Sequence, residues 1–274
     1  MPSMLEARKV RMEYERRDGS KVLAIDDFTL DVHKGEFVSF VGPSGCGKTT
    51  FLKIVNGLMP PTSGDILLQG RPIEHSSRDR AMVFQEAALF PWFPLWRNIG
   101  YGLECAGMKR PEIRKRVKPY IELVGLSGFE DVYPYELSGG MQQRANLARA
   151  LVVDPQVLLM DEPFAALDAQ TREMMQAELL DVWGQTQKTV LFITHQINEA
   201  IYLSDRVLVV SARPGKILDD VKVDIPRPRG LDVKRSAAFR DIEDHVWRLI
   251  EEQARITMAR TKTHRDEDGA ALEV

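Results

Sequence analysis

At 274 residues the chain is long enough for one large domain or two modest ones, with ample apolar content for a core. Its 37 Lys and Arg against 40 Asp and Glu leave a net charge of −3, so no basic field supports extended nucleic-acid binding. Cys46 and Cys105 fall in no metal-ligand spacing, no signal-peptide core opens the chain and no apolar run spans a bilayer, so a soluble cytoplasmic protein without zinc is expected.

The chain opens with Val10, Met12 and Tyr14 alternating with charged residues. Two short apolar runs, residues 22–25 and 28–32, then read as further strands of a small antiparallel sheet. Four later runs, residues 37–41, 157–160, 190–193 and 207–210, are nearly unbroken apolar stretches, as strands buried on both faces must be. Helical stretches between them predict an α/β domain with a mainly parallel sheet. Residues 86–154 interrupt the alternation with helix-forming segments at 112–124 and 141–152 and no strand-like run, which predicts an inserted helical subdomain. The domain is expected to end near residue 225. Residues 226–230, Pro-Arg-Pro-Arg-Gly, then read as a linker to an amphipathic helix whose apolar face is Phe239, Ile242, Val246, Leu249 and Ile250. That face is expected to pack on the main domain, with a regulatory or partner-binding role as the competing reading. The tail at 261–269 is polar enough to be disordered.

Three segments carry chemistry. Gly42, Pro43, Ser44, Gly45, Cys46, Gly47, Lys48, Thr49 and Thr50 form a G-x-x-x-x-G-K-[ST] loop between the strand at 37–41 and a helix start. The glycines let consecutive N–H groups converge on phosphate oxygens, the helix dipole adds positive potential, and the Lys48 ammonium reaches the outer phosphates. Thr49 is left to offer its hydroxyl to Mg2+. Asp161 and Glu162 close the apolar run at 157–160, at the carboxyl edge where open α/β sheets bind ligands. Asp161 is placed for the magnesium shell and Glu162 for the general base that aligns the attacking water. Ser138, Gly139, Gly140 and Met141 begin a helix, and read alone this could be a second anion site or an ordinary capped start.

Taken together, the phosphate loop, Gln85, residues 137–144, residues 157–163, Asp168 and His195 resemble the ATP-binding subunit of an ABC transporter over about residues 5–225. Residues 162–168, 198–206 and 211–215 further resemble the nitrate, sulfonate and taurine importer branch. The resemblance implies a RecA-like P-loop fold with ATP and Mg2+ as cofactors, Tyr14 stacking on adenine, and Gln85 reaching the metal and attacking water. It also implies that His195 contacts the γ-phosphate and holds Glu162, and that Asp168 crosses a dimer interface. Residues 138–141 of one subunit would close on ATP held by another, in a homodimer that drives two integral membrane permease subunits at the cytoplasmic face of the inner membrane. A solute-binding protein would be an indirect partner. Met141 and Gln196 depart from the family pattern without touching these roles. The aromatic stretch after Gln85 meets the membrane subunit in the family, which makes Trp92, Phe93 and Trp96 either a docking surface or core. An ABC exporter subunit and a soluble ABC machine acting on DNA or ribosomes are the alternatives. A P-loop phosphotransferase would leave His195 and residues 138–144 without a job.

Overall fold

The elements run β1 (Ser3–Glu15), β2 (Lys21–His33), β3 (Phe37–Val41), α1 (Lys48–Val55), β4 (Ser63–Leu68), β5 (Arg71–Pro72), β6 (Arg80–Val83), α2 (Leu95–Cys105), α3 (Arg110–Leu123) and α4 (Gly139–Leu151). They continue as β7 (Val157–Asp161), α5 (Ala169–Thr186), β8 (Thr189–Ile193), α6 (Ile197–Leu203), β9 (Arg206–Val210), β10 (Ile217–Lys222) and α7 (Ala237–Ala270). The structure is a computed structural model describing residues 3–270, with side chains described up to residue 256.

One sheet is antiparallel, ordered β2-β1-β4-β5, and the other is ordered β10-β9-β3-β8-β7-β6, parallel except for β10. The two strands expected at 22–32 are a single strand. Asp26–Asp27 does not break it, because register shifts beside Lys9 (φ 48°) on β1 and Asp27 (φ 58°) on β2 take up extra residues on both strands and pairing resumes. The parallel strands serve two cores. Val38 and Phe40 of β3 face β1, β2 and α1, where Phe28 and Phe51 pack, while Phe37 and Val41 face the helices on the other side. Every residue of β3 and β8 is buried, which is why these runs lack polar alternation.

Between β6 and β7, the helices α2, α3 and α4 form the inserted helical subdomain, with no strand among the described residues. Trp96 belongs to its core, so the docking reading of that residue is corrected. As the second residue of α2 it shares a face with Ile99 and Leu103 at helical spacing. It is 8% exposed, and the Arg114 guanidinium covers its ring at 4.6 Å.

The segment read as a linker is packed against the main domain. The Arg227 guanidinium donates to Asp205 Oδ1 at 2.9 Å and lies 4.2 Å over the Trp183 ring. Arg229 is buried, and its Nη1 donates to the carbonyls of Ile201, Tyr202 and Ser204 at 2.9, 3.0 and 2.7 Å, satisfying the open end of α6. Burial, aided by Arg227 nearby, pulls its pKa down to about 10. Replacing Arg229 by Met is expected to lower the unfolding free energy by roughly 2–3 kcal/mol, because buried carbonyls lose their donor. A denaturant titration reading α6 and α7 together checks this. The apolar face of α7 packs as expected, with Phe239 and Val246 buried and Ile242, Leu249 and Ile250 against the same core. The tail expected to be disordered from residue 261 lies outside the described side chains.

Candidate active site

The turn after β3 wraps so tightly that Gly47 takes φ 97°, and a Cβ there would stand 2.9 Å from the Ala24 carbonyl. α1 therefore begins at Lys48 with its first N–H groups facing the loop. Lys48 is 4% exposed, and its ammonium donates to Gly42 O at 2.7 Å and Pro43 O at 2.9 Å, so the loop's own carbonyls hold the cation at the mouth of the cradle. Thr49 Oγ1 donates to Asp161 Oδ1 at 3.0 Å across from the end of β7. Burial pushes the Asp161 carboxyl above the usual range, outweighing the Thr49 hydrogen bond that favours its charged form.

One residue on, Glu162 sits in the left-handed region at φ 49°, a conformation costing a non-glycine residue about 1 kcal/mol or more. Its N–H donates to Ile193 O at 3.0 Å, and the turn sets its Oε1 2.5 Å from His195 Nε2, just past the end of β8. Two adjacent parallel strands thus place an acid and an imidazole side by side at one sheet edge. A cavity of about 460 Å³ opens in front of them, walled by the phosphate loop, Glu162, His195, Tyr14 and Arg213. Tyr14 is 40% exposed on that wall, and its hydroxyl lies 3.1 Å from Thr50 Oγ1.

The remaining expected residues stay off the cavity wall. Gln85 is exposed just past β6. Ser138 and Gly139 are exposed at the start of α4, where Ser138 Oγ accepts from Met141 N at 3.3 Å as an N-cap. Asp168 caps α5, accepting from Gln170 N at 3.1 Å and Thr171 N at 3.0 Å. Trp92 is 66% exposed, and Phe93 is half-buried with the Arg97 guanidinium 3.7 Å over its ring. Sequence reasoning missed Arg213, whose guanidinium donates to Gly45 O at 3.2 Å beside the cavity. The turn after β9 that carries it approaches the phosphate loop so closely that a Cβ on Gly215 would lie 1.9 Å from Cys46 O, a contact that no sequence pattern marks.

The family model for ABC transporters matches residues 25–165. The chain belongs to the ABC transporter family. It is 48% identical over 236 residues to an uncharacterized ABC transporter ATP-binding protein of Methanocaldococcus jannaschii, covering 86% of this chain and 87% of that one. It is 43% identical to an aliphatic sulfonates import ATP-binding protein of Bacillus cereus, covering 87% of this chain and 93% of that one. Identity is 40% to a taurine import ATP-binding protein of a Jannaschia species, over 94% of this chain and 98% of that one. The resemblance to the sulfonate and taurine branch is thereby borne out. A dimeric ATP-binding cassette in a post-hydrolysis state, bound to ADP and Pi, aligns with TM-score 0.71 and 31% identity over 83% of this chain and 100% of that one. Like the rest of the ABC cassettes, this chain is a nucleotide-binding P-loop ATPase with the mixed-sheet architecture expected. Among the described residues, no helix is long and apolar enough to cross a membrane.

Proposed function

We propose that this chain is the ATP-hydrolysing subunit of an ABC importer for a sulfonate, taurine, nitrate or a related small solute. It works as a homodimer on two permease subunits at the cytoplasmic face of the membrane, supplied by a solute-binding protein. The sulfonate and taurine importers among its relatives support the solute class. The observation that carries the reading is the Glu162–His195 pair facing a cavity walled by the chain's own phosphate loop, while its capped helix start at Ser138 stands apart. An anion-binding helix start with no phosphate of its own fits a second copy's nucleotide, as does the dimeric neighbour.

The residues fit Mg2+. Thr49 and Asp161 offer hard oxygens 3.0 Å apart, and a cation there would relieve the burial that disfavours the Asp161 carboxylate. Bound there, Mg2+ would neutralise charge on the phosphates, with Gln85 as a further oxygen donor once the site closes. In the chain's own part of the mechanism, the phosphate-loop N–H groups and Lys48 grip the triphosphate. Tyr14 lies under the base, and Glu162 accepts the proton of the attacking water while His195 Nε2 holds that carboxylate in place. The Asp168 loop and residues 138–141 reach the partner copy. Hydrolysis removes the phosphate that bridges the copies, and the opening moves the permease.

Proteoliposomes holding this subunit with its permease test the reading. ATP hydrolysis is expected to rise when binding protein loaded with taurine, an alkanesulfonate or nitrate is added, and failure with all three would remove the proposed solute class. The exposed Trp92 and neighbouring Phe93 are the proposed permease contact. Trp92→Ala with Phe93→Ala is expected to leave ATP binding by the isolated subunit unchanged and abolish uptake; retained uptake discards that contact.

A further inference from the structure

The carboxylate of Glu199, on α6, is 3% exposed and has no part in the chemistry above. Burying a carboxylate is costly unless its lone pairs are taken up, and here neutral donors take them. Gln176 Nε2 donates to Oε1 at 3.0 Å, and Thr194 Oγ1 donates to Oε2. Thr194 immediately precedes His195, and its hydroxyl oxygen also accepts from Gln196 N, the residue after His195, at 3.0 Å. One buried hydroxyl thus ties the backbone on both sides of His195. On the far side, Gln176 Oε1 accepts from Lys234 Nζ at 3.1 Å. Because the Gln176 amide donates to Glu199 and accepts from Lys234, a flip would break both bonds. Lys234 lies beyond the packed segment at 226–230, in a short 3-10 turn (Leu231–Arg235), with its ammonium 4.9 Å over the Tyr202 ring.

The His195 side chain is 41% exposed and a small pocket of about 40 Å³ opens between it and Glu162, Thr194 and Glu199, so packing encloses the imidazole incompletely. Hydrogen bonds are left to set where the ring stands.

We propose that Lys234, Gln176, Glu199 and Thr194 form a polar relay through which the C-terminal extension positions His195 against Glu162. Lys234, Gln176 and Glu199 are positioning residues, since none lines the nucleotide cavity. The extension, which supplies none of the residues assigned to the chemistry, thereby acts on the hydrolysis step. The inference rests on the reading of Glu162 and His195 as the hydrolytic pair.

The test compares Lys234→Met, Glu199→Gln, the double variant and His195→Ala in the full chain. Steady-state ATP hydrolysis, ATP affinity and thermal unfolding are measured for each. Lys234→Met keeps the aliphatic stem but removes an ammonium whose side chain is only 15% exposed and which also bonds Glu173 Oε1 at 3.1 Å, so its thermal unfolding is read beside Glu173→Gln, which breaks that ion pair alone and is expected to leave kcat unchanged. Lys234→Met is expected to lower kcat about fivefold with KM for ATP changed by less than about twofold, which a purely structural role would not do. Glu199→Gln presents a donor where an acceptor is needed and is expected to lower kcat about tenfold. The double variant is expected to be no slower than Glu199→Gln, because both substitutions break one chain. An unchanged kcat in Lys234→Met, or multiplying losses in the double variant, overturns the relay. His195→Ala separates the two ideas: if it turns over at the parent rate, the reading of the site fails and takes the relay with it. If it is inactive while Lys234→Met is unimpaired, only the relay fails.

Discussion

Replacing Glu162 by Gln is expected to cut ATP hydrolysis at least about a hundredfold while leaving ATP binding intact, a loss of about 2.7 kcal/mol of transition-state stabilisation. The substitution is close to isosteric, so the left-handed backbone at residue 162 and its bond to Ile193 O are kept. An amide oxygen can still face His195 Nε2, which stands 2.5 Å from Oε1 in the parent, but it cannot take the proton of an attacking water. With hydrolysis blocked, the nucleotide-bridged dimer should accumulate under saturating Mg-ATP. Sedimentation of the variant with and without nucleotide reads this directly. Hydrolysis at the parent rate would remove Glu162 from the chemistry, and a variant that stays monomeric with ATP bound would remove the two-copy sandwich.

Lys48→Ala is expected to act earlier, weakening ATP binding by about 10- to 100-fold, the worth of one or two charge-assisted contacts to phosphate. Two losses combine. The full positive charge leaves the cradle, and the carbonyls of Gly42 and Pro43, which accept from Nζ at 2.7 and 2.9 Å, lose the ammonium that draws the loop together. Lys48→Met sets both apart from the loss of the buried stem, because its unbranched chain fills that space without the ammonium. Titration with a fluorescent ATP analogue measures both variants. Parent-like affinity in both would mean the phosphates are held by backbone N–H groups and the α1 dipole alone.

Local pattern reveals those parts of the molecule whose causes are local. The phosphate loop, the strand-end pair Asp161–Glu162 and the start of α4 at Ser138 depend on a few consecutive residues, and the sequence displays them. β3 and β8, buried on both faces, show themselves as unbroken apolar runs. β2 reads as two strands because its irregularity is matched by others on β1, and that match exists only once the strands pair. Trp96 is left open between docking surface and core because α2 starts behind Pro94 with no side-chain cap, so nothing in the sequence marks where helical spacing begins. Arg213 and Arg229 stay hidden for a different reason. Their partners are main-chain carbonyls of Gly45 and of α6, and a carbonyl carries no residue type to recognise. The separation of Ser138 from the chain's own phosphate loop follows from how α2, α3 and α4 pack, which no short motif encodes.

The clasp made by Arg227 and Arg229 moves the true border of this protein. A fragment severed after Ile225 would strip Trp183 of its guanidinium lid and leave three peptide oxygens at the tip of α6 facing apolar surroundings without a donor. The stretch that composition marks as a hinge is a rivet, and the smallest autonomous unit must reach past it.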